Sequence, residues 1–220
     1  MAVQRPARPS TFARGFARLS PIMDARGAAE HRAELVVGLS GSVVEIGCGP
    51  GAMFRHYPPE VTTVLAIEPD AYLRGLAERA ALAASGPSAP TISVVEGCAE
   101  ALPGADGSVD AVVCSLVLCS VPSQAAALAE IRRVLRPGGE LRFYEHVRSR
   151  SRIVGWMEDA LTPLWRRYAG GCHPNRDTAS AIARAGFKVS RVRRFGFAPA
   201  PISPRMAHIV GIAHMRGTSG

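Results

Sequence analysis

The sequence predicts one α/β domain, a doubly wound and mostly parallel sheet of seven strands with one antiparallel hairpin at an edge. Three observations predict it. Five apolar, β-branched runs alternate with helical patterns at βαβ spacing, which implies right-handed crossovers. Two further strand-like runs close the chain with no helix between them, so they must pair antiparallel. The first strand also ends in Gly47-Cys48-Gly49-Pro50-Gly51, a sharp turn of the kind found at the carboxyl edge of such sheets.

Taken in order, apolar residues at helical spacing predict a helix over 22–39, closed by Gly41. Strands follow over 42–46 and 63–67, then a helix over 71–84, a Gly/Pro/Ser loop over 85–90, and strands over 91–95 and 109–114. Ser123 is placed to cap a helix to about Leu135, stopped by Pro137-Gly138-Gly139. A strand over 140–145 leads to a helical stretch over 151–168 that Pro163 is expected to break. Asn175 is the expected cap of a helix to Ala185, and strands over 187–195 and 206–214 form the edge hairpin. The link between them holds Pro199, Pro201 and Pro204 and is too proline-rich for a central strand.

Composition narrows the class. The 220 residues are 47% hydrophobic, enough for one buried core, and no apolar run reaches the ~18 residues of a membrane span. The net charge of +8 rests on 26 basic residues of which Lys188 is the sole lysine, a bias that reflects GC-rich coding rather than a basic face. The arginines are scattered and not interleaved with aromatics, so no nucleic-acid partner is expected; contact with an anionic lipid surface stays open. Five cysteines without metal-ligand spacing imply a reducing cytoplasmic setting, with neither disulfide nor metal. Residues 1–20 form a basic arm (Arg5, Arg8, Arg14, Arg18) that is either disordered or packed back through Phe12 and Phe16. Oligomeric state is not readable.

The glycine turn carries the chemistry. Its G-x-G-x-G spacing differs from the G-x-G-x-x-G of dinucleotide loops, and Pro58-Pro59 leaves room for only a short helix after it. Glu45, two residues before the turn, adds an acceptor for a cationic group. A ligand with an ammonium, a carboxylate and a ribose, such as S-adenosylmethionine, suits this pattern better than a pyrophosphate. Glu68, ~20 residues beyond the loop, stands where two ribose hydroxyls need a bidentate acceptor; a solvated strand-end acid is the plainer alternative.

The segments 45–51, Glu68, and Val134-Leu135-Arg136-Pro137-Gly138-Gly139 together resemble the class I S-adenosylmethionine-dependent methyltransferases. A narrower likeness over most of residues 43–215 is to the methyltransferase-like thiol S-methyltransferases. It rests on Cys48-Gly49-Pro50-Gly51-Ala52 with Tyr57-Pro58-Pro59, on residues 106–114, on Leu116-Val117-Leu118-Cys119-Ser120-Val121, on Glu145-His146-Val147, on Pro163-Leu164-Trp165 and on Gly171-Cys172. Those relatives carry an N-terminal hydrophobic anchor that this chain lacks, so the resemblance implies a soluble, bacterial relative with a Rossmann-like methyltransferase fold.

That resemblance implies a cofactor site of Glu45, Gly47, Cys48, Gly49, Pro50, Gly51, Glu68, Pro69, Cys98, Ala99, Glu100, Ser115 and Leu116. Cys98 stands where relatives often have Asp, which leaves the Ala99 backbone as the adenine contact. Glu145 and His146, at the end of the fifth strand, are the candidate catalytic pair, with His146 either a general base or a hydrogen-bonded rim residue. Residues 148–185 form the acceptor-side insertion, with Cys119, Trp165, Cys172, His173 and Arg176 as candidate acceptor contacts. The expected function is methyl transfer from S-adenosylmethionine to a small molecule, with a thiol acceptor favoured. The alternatives are a phenol, an isoprenoid or a lipid amine headgroup, and a non-catalytic cofactor-binding module.

Overall fold

The computed structural model describes residues 10–201 and 203–215. Helix α1 (Thr11–Met23) is followed by a wide π-type turn at Asp24–Ala28 and α2 (Ala29–Val36). Then come β1 (Gly41–Ile46), a 3-10 turn at Phe54–His56, β2 (Val61–Ile67), α3 (Ala71–Ala83), β3 (Thr91–Val95) and β4 (Val109–Ser115). The chain finishes with α4 (Gln124–Val134), β5 (Leu135–His146), α5 (Arg152–Tyr168), α6 (Thr178–Arg184), β6 (Phe187–Phe197) and β7 (Met206–Met215).

The seven strands lie in the order β3-β2-β1-β4-β5-β7-β6. Strands β1 to β5 pair parallel, while β7 runs antiparallel to both β5 and β6. The order reverses between β1 and β4, so their carboxyl ends diverge into the crevice where such sheets bind ligands. Alternation along the strands sends Val44, Ile46, Val112, Cys114 and Phe143 into one buried layer. Val43, Ala111, Val113 and Tyr144 go to the other.

Four sequence expectations need correction. The N-terminal helix begins at Thr11 rather than Ile22, because the Ser10 hydroxyl accepts the Ala13 N–H at 3.0 Å and caps it. It also kinks, since Gly27 sits at φ 110 between α1 and α2. From Ser10 onward the basic arm is therefore ordered helix, with Phe16 and Leu19 packed beside Leu116 and Phe197; Arg5 and Arg8 lie outside the described residues. Pro163 does not break α5, as the hydroxyl of the preceding Thr162 donates to the Glu158 carbonyl at 2.6 Å and ties that turn together. Asn175 caps no helix: its amide donates to Asp159, and Asp177 accepts the Ser180 N–H to cap α6.

Candidate functional site

The turn after β1 is built from three glycines in the left-handed region: Gly47 at φ 62, Gly49 at φ 56 and Gly51 at φ 81. A Cβ at Gly47 would stand 2.8 Å from Val117 Cγ2, so the loop also lies flush against the turn that leaves β4. Over Gly49 rests the Phe16 ring, 3.0 Å from where a Cβ would be, so α1 roofs the cleft.

Glu68 is buried and ties the two strand ends together. Its carboxylate accepts the Gly49 N–H at 2.8 Å on Oε2 and the Asp70 N–H at 3.0 Å on Oε1. Burial raises its pKa while those two backbone donors pull it down. Each oxygen keeps a lone pair, so the carboxylate is oriented and still able to accept from a ligand.

Glu45 lies on the β1 face shared with Val43, fully buried, and accepts the Tyr57 hydroxyl at 2.8 Å. Desolvation lifts its pKa to about 8, against the Tyr57 hydrogen bond and the buried Arg32 guanidinium that lower it. A cationic ligand beside Glu45 favours the carboxylate, so binding expels its proton. Affinity for S-adenosylmethionine should therefore rise with pH and level off above about 8. Calorimetry in buffers of different ionisation enthalpy should show proton release at pH 7; an affinity flat across this range would separate Glu45 from the ligand's charge.

Leu116 is strained at φ 64, the one non-glycine residue at positive φ among those described. Its N–H donates to the Tyr144 carbonyl at 2.6 Å, which pins the end of β4 to β5. On the same face of these strands, Ser115 Oγ, Tyr144 OH and His146 Nε2 are buried without a hydrogen-bond partner. Buried polar atoms left open in this way mark where a ligand's polar groups belong.

Several predicted site residues are also tied into the protein itself. Glu145 is turned into the protein. Fully buried, it accepts the N–H groups of Val117 at 3.1 Å, Leu118 at 2.9 Å and Cys119 at 3.0 Å, and so builds the turn after β4. Arg176 donates to the Leu118 and Val121 carbonyls at 2.9 and 2.8 Å and clamps the same turn from the other side. Glu100 accepts the Ser123 N–H at 3.2 Å beside the start of α4. Cys98 and Pro69 are exposed at the rim, Ala99 is buried, and Cys48 and Pro50 lie in the loop itself. Burial pushes the Cys48 thiol far up, which keeps it protonated.

His146, Cys119, Cys172 and His173 lie together. His146 Nδ1 lies 3.5 Å from Cys172 Sγ, and its ring stacks on His208 at 4.9 Å. Burial lowers the His146 pKa to about 4, so the imidazole is neutral at physiological pH. The Cys119 Sγ lies 3.5 Å from Ser120 Oγ, and the nearness of the two thiols raises the pKa of Cys119 and lowers that of Cys172; the Trp165 indole of α5 lowers Cys172 further. The His173 N–H donates to the Cys119 carbonyl at 2.8 Å. Sequence reading missed Tyr57, Tyr144, His208 and Arg32. Tyr144 and His208 had a usable signal, since period-2 alternation puts them on the face of His146.

A glycine turn with an oriented Glu68, set at the order switch of this sheet, fits S-adenosylmethionine, and fold and cleft together define a class I S-adenosylmethionine-dependent methyltransferase. The comparisons agree. Residues 44–143 match the methyltransferase domain family. A Thermotoga maritima S-adenosylmethionine-dependent methyltransferase superposes with a TM-score of 0.67 at 21% identity, covering 93% of this chain and 97% of its own. Human thiol S-methyltransferase TMT1A is 36% identical over 186 residues, 78% of this chain and 70% of the relative. Human TMT1B is also 36% identical, over 81% of this chain and 73% of its own. The chain belongs to the methyltransferase family that contains these two enzymes.

Proposed function

We propose that this methyltransferase methylates the sulfur of a small-molecule thiol. When bound, S-adenosylmethionine supplies an electrophilic methyl group on a positively charged sulfur. Glu68 and the loop of Gly47, Gly49 and Gly51 would hold the ribose and the amino-acid portion, with Glu45 balancing positive charge. Cys48, Pro50, Pro69, Cys98 and Ala99 would line the cleft, while Ser115 Oγ and the strained Leu116 backbone would face the reacting end. His146, Cys119, Cys172, His173 and Trp165 would border the acceptor, in line with the methyl group and with water excluded.

The observation that carries the thiol reading is the weakness of the base. Burial lowers the His146 pKa to about 4, so it is a weak base, and a thiol of ordinary pKa ~8.5 demands less of it than a phenol near ~10. The 36% identity to thiol S-methyltransferases supports the same acceptor. His146→Gln should lower kcat/KM by roughly ten- to a hundredfold with cofactor affinity unchanged. The wild-type pH–rate profile should show no limb near pH 6.5, because His146 stays neutral across that range. Incubation with labelled S-adenosylmethionine and a panel of thiols, phenols and amines tests the proposal. Label on thiols is expected; label on phenols or amines with every thiol untouched overturns it.

A further inference from the structure

Helix α5 is amphipathic in the wrong sense for a helix held only by its own domain. It buries Gly155, Glu158 and Thr162, while its apolar stripe points outward. Ile153, Trp156, Met157, Leu161, Leu164 and Tyr168 recur at helical spacing and are all exposed, Ile153 at 74%, Trp156 at 70% and Tyr168 at 71%. An outward apolar stripe of this extent marks a surface that something covers.

We propose that α5 lies in the headgroup region of an anionic membrane and docks the enzyme there. Charge selects this occupant. Exposed arginines flank the stripe at both ends, Arg150 and Arg152 at the start, Arg166 and Arg167 at the finish. The acids of α5 are already engaged: Glu158 is buried and accepts the Ser149 N–H, and Asp159 pairs with Arg148 at 2.8 Å. A second copy packing α5 against α5 in antiparallel fashion would set arginines against arginines with no free acid on this helix between them. Residues 1–9 and 216–220 are poor covers, because they contain no aromatic, leucine or isoleucine. Trp and Tyr on the apolar face, with arginine stems reaching back toward water, are the composition of a helix lying in a bilayer interface. At 17 residues α5 is no membrane span, and no described helix is long and apolar enough to be one.

Docking through α5 would turn the acceptor side toward the bilayer, since the Trp165 indole on this helix stands close enough to Cys172 to lower its pKa. The proposal stands whichever acceptor atom the enzyme uses. Both tryptophans of the chain, Trp156 and Trp165, sit on α5, so intrinsic fluorescence reports its environment directly. Full-length protein is mixed with vesicles of phosphatidylcholine alone or with phosphatidylglycerol, and then sedimented. Expected are pelleting and a blue-shifted emission with the anionic vesicles, both weakened by salt. Ile153→Glu with Trp156→Glu should cut binding at least tenfold, and Arg166→Gln with Arg167→Gln about fivefold per arginine. Circular dichroism and S-adenosylmethionine affinity should stay at wild-type values in both variants. Wild-type protein that stays in the supernatant with unshifted emission overturns the proposal, as does a dimer in sedimentation equilibrium that the Ile153→Glu, Trp156→Glu variant abolishes while vesicle binding is unaffected.

Discussion

Glu68→Ala is expected to weaken S-adenosylmethionine binding by roughly a hundredfold or more, read by calorimetry on the purified protein. A carboxylate bonded to two hydroxyls of a ligand contributes about 1.5–3 kcal/mol per hydrogen bond when the acceptor is charged. The loss compounds, because Glu68 also accepts the Gly49 N–H at 2.8 Å and so shapes the loop that cradles the rest of the ligand. Melting should fall as well, since the Gly49 N–H is buried beneath the Phe16 ring and loses its acceptor, while the Asp70 N–H lies nearer the surface. Glu68→Gln, which keeps one acceptor, should fall between wild type and Glu68→Ala. Unchanged affinity in Glu68→Ala would remove the ribose from this carboxylate.

Glu145→Ala should act on stability rather than on chemistry. Three buried N–H groups, on Val117, Leu118 and Cys119, lose their only acceptor. Each unsatisfied buried donor costs about 1–3 kcal/mol, so the sum approaches the whole stability of a small domain. Thermal melting should show a drop of ten degrees or more, or no folded protein. A variant that melts like the wild type but turns over slowly would return Glu145 to the catalytic group.

The contrast between these two glutamates shows what was legible in the sequence. Glu68 follows an apolar strand ~20 residues after a glycine turn, and both constraints are local, so the residue could be placed without a fold. Glu145 adjoins His146 at a strand end and looks equally chemical. Its role depends on three backbone N–H groups 26–28 residues away, which no local pattern reveals. The bonds of Arg176 were hidden for the same reason, since they reach carbonyls 55 and 58 residues earlier. The sheet was readable because alternating strands and helices leave few ways to connect. The N-terminal helix was not, since a serine cap and a Gly27 kink shifted its register. For α5 the apolar stripe was visible as a pattern. That the stripe faces outward depends on Gly155, Glu158 and Thr162 packing inward instead.

The acceptor atom is the central claim, and one measurement addresses it inside a single pocket. 4-Mercaptophenol offers a thiol and a phenol on the same ring, so binding differences between separate acceptors drop out. With saturating S-adenosylmethionine, mass spectrometry and chromatography against standards should find 4-(methylthio)phenol as the enzymatic product. Formation of 4-methoxybenzenethiol in its place would contradict thiol methylation.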